Sequence, residues 1–157
     1  MQLYKAVTAS SICGRLSMIS VYIDGLCKPV NPNGVATYGF VVYEDGKKIS
    51  QKYDVVGEGE GMSNNLAEYA ALCNALKLLI TLNLNREKIL VKSDSKLLVN
   101  QMNGLWKQNK GYYTSKYNEA KETVKLFRNI LFSWIPREKN EEADSLSQKA
   151  YEEYSRQ

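Results

Sequence analysis

The fold of this chain is decided by the stretch MISVYIDG, residues 18–25. Its isoleucines, valine and tyrosine favour β-strands, and the Asp24-Gly25 pair that ends it is typical of a turn. We therefore predict a buried strand that closes at Asp24. A carboxylate in that position would lie at the end of a sheet strand, where α/β proteins collect their functional groups.

The rest of the chain alternates between patterns typical of strands and of helices. Two β-rich runs follow the first, and Asp45-Gly46 between them is a hairpin turn signal. Ser63 and Ser95 are candidate N-caps, and apolar residues recur at intervals of three and four behind Ser63. Further strands are predicted at residues 35–44, 47–56, 88–92 and 130–135, and helices after Ser63, from Ser95 to Met102, and at residues 115–128 and 140–154.

This order, β-β-β-α-β-α-α-β-α, predicts an α/β domain with a five-stranded mixed sheet flanked by helices. Three antiparallel strands come first, and parallel strands linked by helices come later. The length of 157 residues suits one domain. We expect it to span residues 18–157, with residues 1–17 as an N-terminal extension. Translation from Met18 and a targeting peptide are alternative interpretations of that extension.

Composition excludes several classes of protein. The absence of histidine removes Ser-His-Asp triads, Cys-His pairs and imidazole metal sites. Cys13, Cys27 and Cys73 are too few and too widely spaced for a disulfide framework or a zinc site, so we expect a reducing cytoplasm. A net charge of +4 permits nucleic-acid binding without demonstrating it. Nothing in the sequence calls for a membrane, and we expect a monomer.

Four acids stand where predicted elements begin or end: Asp24, Glu68, Asp94 and Asp144. Each alone is more simply a turn residue or a solvated charge, but the topology allows all four to share one crevice. Two unit charges about 4 Å apart repel by roughly 4 kcal/mol at an effective dielectric near 20, so protons or cations must neutralise such a cluster. Oxygen ligands favour Mg²⁺, with Mn²⁺ as a substitute. Metal ions held in this way suit phosphoryl chemistry, which indicates a nuclease.

The segments that carry these acids resemble those of a known family. They are YIDG at residues 22–25, SNNLAEY at 63–69, SDS at 93–95 and WIPREKNEEAD at 134–144. In this order they are similar to type 1 ribonuclease H, over about residues 18–154. The resemblance implies hydrolysis of the RNA strand of an RNA–DNA hybrid, with 5′-phosphate and 3′-hydroxyl products. It also implies two Mg²⁺ ions held by the four acids, with Asp24 between the ions.

The same resemblance implies a set of substrate contacts. Asn64 and Asn65 would contact the hybrid in its minor groove, where the 2′-hydroxyls are displayed. Ser63 would hold a phosphate of the DNA strand, and the loop of residues 26–33 would form the first substrate-contacting turn. Helix capping is the alternative role for Asn64 and Asn65. The full predicted contact set is Gly25, Cys27, Asn31, Ser63, Asn64, Asn65, Ser95, Trp106 and Lys107.

Two departures from the family pattern affect these expectations. Many members carry a histidine in the loop before the last acid, and here Arg137 occupies that loop. Arg137 could draw the cleaved phosphate away, but with a pKa above about 12 it cannot act as a general base; an exposed loop cation is the alternative reading. Residues 103–114 are too short for the basic protrusion of some members, so Trp106, Lys107 and Lys110 are expected to compensate by stacking and phosphate contact. This short, histidine-free pattern resembles archaeal and some bacterial forms.

Two other functions stay open on the sequence. The missing protrusion allows a broader nuclease that also cuts double-stranded RNA. A binding module on the same scaffold without catalysis is the second alternative. The presence of all four acids argues against it.

Overall fold

The computed structural model describes residues 16–157. The predicted N-terminal extension therefore lies almost wholly outside the described residues. Its last residue, Ser17, is buried, and its backbone N–H donates to Glu87 Oε1 at 2.6 Å. The strands are β1 (Met18–Lys28), β2 (Val35–Glu44), β3 (Lys47–Glu58), β4 (Lys88–Ser93) and β5 (Asn129–Trp134). The helices are α1 (Asn64–Thr81), α2 (Lys96–Met102), α3 (Thr114–Thr123) and α4 (Glu141–Ser155), and 3₁₀ turns cover Val124–Leu126 and Arg137–Lys139.

The five strands form one mixed sheet in the order β3-β2-β1-β4-β5. β1 pairs with β2 and β2 with β3 in antiparallel fashion, whereas β1 with β4 and β4 with β5 are parallel. The predicted α/β class and the sequence of antiparallel before parallel strands are confirmed. Both predicted N-caps are also confirmed, because Ser63 Oγ accepts from the N–H of Leu66 and Ser95 Oγ from that of Leu98.

The predicted end of β1 was wrong. The strand does not stop at Asp24 but continues to Lys28, because its antiparallel pairing with β2 extends to the Lys28–Val35 pair. Its parallel pairing with β4 does end at Ile23, opposite Ser93. Asp24 therefore lies inside a strand, at the point where the neighbouring strand on one side stops. The predicted substrate loop is correspondingly shorter, since residues 26–28 belong to the strand.

Smaller differences concern α3 and the edge strands. The helix predicted at residues 115–128 ends at Thr123 and tightens into a 3₁₀ turn, after which Phe127 is buried in the core. β3 extends two residues further than predicted, to Glu58, and α4 begins after Asn140. No helix within residues 16–157 is long and apolar enough to cross a membrane.

Two glycines allow helices to approach opposite faces of the sheet. A Cβ on Gly25 would lie 2.4 Å from the carbonyl carbon of Ala67 in α1, and one on Gly39 would lie 2.6 Å from Leu146 Cβ in α4. Gly39 pairs with Asp24, the neighbour of Gly25, and successive residues of a strand face opposite sides. Hence α1 and α4 cover opposite faces of the sheet, and both approach it closely beside Asp24.

The close approach at Gly25 predicts a large cost for adding a methyl group. We expect Gly25→Ala to lower the free energy of unfolding by about 2–3 kcal/mol, because the methyl group would meet rigid backbone of α1. Gly46→Ala is the control: its Cβ would meet open space, and only the positive φ of 86° opposes it, at about 1 kcal/mol. Urea unfolding measures both, and a Gly25→Ala cost no larger than that of the control would contradict this packing.

Candidate active site

Four carboxylates converge where β1, β4, α1 and α4 meet. Carboxylate oxygens of Asp24, Glu68 and Asp94 lie within 4.8 Å of one another. Asp144 is within hydrogen-bonding reach of Asp24. All four line one cavity of about 290 Å³. The structure thus brings together the acids that the sequence predicted to share a crevice.

Each acid is placed by a different local feature. Asp24 faces α4 from inside β1, and Asp94 directly follows the last residue of β4. Glu68 lies in the second turn of α1. Because Gly25 has no side chain, α1 can pack close to β1 at this point. The backbone N–H of Gly25 also bonds with the Glu68 carboxylate. Asp144 lies in the first turn of α4. The positive end of the helix dipole there favours its negative charge.

The surroundings of the cluster favour the protonated, uncharged forms of its acids. Burial raises the pKa of Asp24 from 3.8 to about 8, with further contributions from Asp94 and Asp144. Burial, followed by the charges of Asp24 and Asp94, also raises the pKa of Glu68 well above its ordinary value. Burial raises the pKa of Asp94 as well, although a hydrogen bond from Asn140 and the charge of Arg137 oppose this. Without a cation, the cluster therefore retains protons at neutral pH.

The donor set fits a hard divalent cation. Glu68 is 8% exposed, yet its buried Oε2 has no hydrogen-bond partner among residues 16–157. An unpaired buried carboxylate oxygen is costly unless it is protonated or bound to a cation. Oxygen ligands alone, in a largely buried group of acids that repel one another, are suited to Mg²⁺ or a similar ion. Asp24, Glu68, Asp94 and Asp144 are the residues that could hold it.

Two residues of the site were missed by sequence reasoning. The Asn140 side chain is 1% exposed, and its Nδ2 donates to the carbonyl of Ile23 at 2.8 Å and to Asp94 Oδ2 at 3.3 Å. Ser147 Oγ lies 3.1 Å from Asp24 Oδ2 and 2.8 Å from the carbonyl of Asp144. Their spacing from Asp144, four residues before and three after, places them on one face of the helix start. That spacing is the signal that could have identified them.

Arg137 lies at the rim of the carboxylate cavity. It is the first residue of the exposed 3₁₀ turn before α4, and it lines the cavity with the four acids. Its charge acts on Asp94 strongly enough to oppose the rise in the pKa of that carboxyl group. The predicted position of Arg137 beside the acids therefore agrees with the structure.

The predicted substrate contacts fall into two groups. Gly25, Cys27 and Asn64 line the carboxylate cavity. Asn31 lies beside it, where its Oδ1 accepts from the N–H of Asn64 at 2.9 Å. Ser63, Ser95 and the exposed Asn65 surround the starts of α1 and α2. The role of all these residues in substrate binding stays a prediction.

Trp106 and Lys107 form a separate surface. Both are exposed, but neither lines the carboxylate cavity. The buried side chain of Gln101, which is 1% exposed, holds their loop in place. Its Nε2 donates to the carbonyl of Lys107 at 3.2 Å and to the Tyr113 hydroxyl at 3.0 Å. Any contact they make to a substrate would therefore lie away from the reacting phosphate.

Comparison with known proteins places this geometry in a family. The sequence profile described as reverse transcriptase-like matches residues 24–150. The ribonuclease HI of Halobacterium salinarum is 29% identical over 147 residues, which cover 94% of this chain and 71% of that protein. LC11 ribonuclease H1, solved in complex with an RNA/DNA hybrid, is 31% identical with a TM-score of 0.79, covering 87% of this chain and 98% of that chain. This chain belongs to the ribonuclease H family.

The resemblance to type 1 ribonuclease H in the sequence is thereby confirmed, and so is the ribonuclease H fold. The crystal structure of the Halobacterium salinarum ribonuclease H1 matches with a TM-score of 0.76 and covers 87% of this chain. A bifunctional protein of Mycobacterium tuberculosis is 34% identical over 122 residues, which cover 76% of this chain but 32% of that protein. The chain thus spans about a third of the length of the mycobacterial relatives that it matches.

The raised pKa of Asp24 predicts how the stability of the metal-free protein depends on pH. The folded chain keeps this proton up to about pH 8, whereas an unfolded chain releases it near 3.8. Because the folded state binds more protons across this range, the free energy of unfolding contributed by this group falls as the pH rises through it. We expect the neutral variant Asp24→Asn to raise the melting temperature in EDTA, by more at about pH 8 than at about pH 5.

Glu60→Gln is the matched control for this measurement. Glu60 is an exposed acid in the connection between β3 and α1, outside the carboxylate cavity. Its removal should change the melting temperature little and equally at both pH values. A gain for Asp24→Asn that does not grow with pH would show that Asp24 is ionised in the metal-free protein.

Proposed function

We propose that this ribonuclease H hydrolyses the RNA strand of RNA–DNA hybrids and leaves 5′-phosphate and 3′-hydroxyl ends. The observation that carries the proposal is the convergence of Asp24, Glu68 and Asp94 within 4.8 Å, with Asp144 beside them in one cavity. An arrangement of this kind is unfavourable without cations, and the cavity is open at the surface to a polymeric substrate. The complex of LC11 ribonuclease H1 with an RNA/DNA hybrid supports the choice of substrate.

The four acids would hold two Mg²⁺ ions, with Mn²⁺ as a substitute. When bound, such a pair of ions activates a water molecule and neutralises the charge on the attacked phosphate and the leaving oxygen. Asp24 is the most central acid, because it contacts Asp144 and lies within reach of Glu68 and Asp94. The family resemblance implies the same central role, in which Asp24 would help to hold both ions.

The neighbouring residues prepare the acids for this task. Asn140 donates to both the Asp94 carboxylate and the Ile23 carbonyl in the middle of β1, and Ser147 lies against the carboxylate of Asp24. Fixed ligands need no rearrangement when the substrate arrives. Arg137, a permanent cation at the cavity rim, would attract the phosphate and help the cleaved product to leave.

Asn64 and Asn65 would read the hybrid from the start of α1. Both residues are exposed, so their side-chain amides can reach a ligand, and the backbone N–H of Asn64 donates to Asn31 Oδ1. An amide both donates and accepts, so it can bond to 2′-hydroxyl groups and base edges in the minor groove. Ser63, Gly25, Cys27 and Ser95 complete the proposed contact surface around the cavity.

Broader cleavage that includes double-stranded RNA is a second candidate. The observation that favours it is the placement of Trp106 and Lys107 outside the carboxylate cavity, on a short loop. A surface of this size offers little to distinguish the DNA strand of a hybrid from a second RNA strand.

Residence in the cytoplasm and a monomeric state remain predictions.

A cleavage assay on matched RNA–DNA hybrid, RNA duplex and DNA duplex tests the proposal. We expect Mg²⁺-dependent cutting of the hybrid. The isosteric variant Asp94→Asn should lower the rate at least about a hundredfold, because it removes a carboxylate ligand while keeping the side-chain shape. Asp54→Asn, an exposed acid on the edge strand β3, is the control and should cut at the wild-type rate.

The outcomes separate the candidates. Cutting of both hybrid and RNA duplex at similar rates would favour the broader nuclease. Binding of the hybrid without cutting, in either Mg²⁺ or Mn²⁺, would leave only a nucleic-acid-binding module and contradict the proposed activity.

A further inference from the structure

The wall of the carboxylate cavity contains one lysine that sequence reasoning did not single out. Lys28, the last residue of β1, lines the cavity together with the four acids and Arg137. Lys28 and Asp24 are four residues apart on a regular strand, so both face α4, about 13 Å apart along the strand. Lys28 is therefore placed on the same wall as the central acid, further along the cavity.

A stripe of α4 runs beside this part of β1. Asp144 and Ser147 lie next to Asp24, whereas Gln148 and Tyr151 lie next to Lys28. These four residues have the spacing of one helix face, and Gln148 follows Asp144 by one turn, a rise of about 6 Å. The same face of α4 thus contacts both the carboxylate cluster and the lysine.

The ammonium group of Lys28 is held in place without being neutralised. Its Nζ donates to Gln148 Oε1 at 2.6 Å and lies 5.9 Å from the centre of the Tyr151 ring. Within residues 16–157, neither Lys28 nor Arg137 forms an ion pair with a carboxylate. An ammonium group has three donors, so two remain after the bond to Gln148. Fixing the long side chain in advance also reduces the entropy lost when a ligand binds.

The charge balance of the cavity points to an anionic ligand at Lys28. Two divalent cations would offset the four carboxylates, and the charges of Lys28 and Arg137 would then remain uncompensated in the cavity. A strand that crosses the cavity carries further phosphates on both sides of the one that reacts. The spacings of about 6 Å along α4 and about 13 Å along β1 correspond to roughly two and four base-pair rises of 3.4 Å.

We propose that Lys28, held by Gln148, binds a backbone phosphate of the substrate about two to four nucleotides from the cut site, and thereby supplies the grip that the short loop of residues 103–114 lacks. This inference rests on the proposed function, since it requires a nucleic-acid substrate. Lys28 contributes to binding and not to the chemical step. It is a local anchor inside the active-site cavity, in contrast to the separate surface of Trp106 and Lys107.

The test is steady-state cleavage of a short hybrid at several salt concentrations between about 50 and 200 mM. For Lys28→Gln we expect KM to rise about five- to tenfold at the lowest salt concentration, with kcat nearly unchanged. The slope of log KM against log salt concentration should fall by about 0.9, the contribution of one phosphate contact. Lys28→Arg should restore both KM and the slope.

Lys149→Gln is the matched control. Lys149 is the residue after Gln148, and its Nζ also lies near a tyrosine ring, 5.2 Å from the centre of Tyr53, but it does not line the carboxylate cavity. We expect wild-type KM and slope for this variant. A change that only disturbed the packing of α4 would alter the melting temperature and would leave the salt slope unchanged.

A second arm locates the contact. Hybrids carry a single uncharged methylphosphonate at each position within four nucleotides of the cut site in turn; at the contacted position this should raise KM for the wild type but not further for Lys28→Gln. The inference is overturned if the wild type cleaves the hybrid while Lys28→Gln keeps its KM and salt slope, or if the variant loses kcat at unchanged KM. Absence of cleavage by the wild type itself would instead overturn the proposed function, so the two failures are distinguishable.

Discussion

Repulsion among four carboxylates is the constraint on which the rest of this structure depends. Asp24, Glu68 and Asp94 are held within 4.8 Å of one another in a partly buried cavity, and Asp144 adds a fourth charge. Proteins tolerate such a group only when protons or cations compensate it. Burial and, after it, the charges of Asp94 and Asp144 raise the pKa of Asp24 to about 8 in the metal-free chain. The surrounding fold must therefore be strong enough to keep the acids together.

The close packing of two helices against the sheet beside Asp24 keeps the four acids together. Gly25 and Gly39 lack side chains where α1 and α4 approach the sheet, so the backbone of both helices comes close to Asp24. Asn140 adds a buried hydrogen bond between the start of α4 and the middle of β1. Beyond the cluster, the same pairing of α4 with β1 positions Lys28 and Gln148. One helix-to-strand contact thus serves both the reacting centre and the proposed phosphate anchor.

Much of this arrangement could be predicted from the sequence, because short-range patterns determine it. The element order, the caps at Ser63 and Ser95, and the four acids all follow from local periodicity and from where acids stand relative to it. The extension of β1 to Lys28 could not be predicted, because it depends on pairing with β2. In addition, the sequence Asp24-Gly25 is typical of a turn, although here it lies within the strand. The partners of the acids, Asn140 and Ser147, are set by the docking of α4, and so is the pairing of Lys28 with Gln148.

Calorimetric titration of the metal-free protein with Mg²⁺, in buffers of different ionisation enthalpy, shows directly whether a cation displaces protons from the four acids. If the acids share protons until a cation replaces them, binding near neutral pH must release protons, because a bound ligand oxygen has to be deprotonated. We expect at least about one proton to be released per protein near pH 7, since Asp24 and Glu68 both have raised pKa values, and fewer as the pH rises above the pKa of Asp24, about 8. Binding without proton release, or no binding of Mg²⁺ at all, would show that the four acids do not exchange protons for a cation.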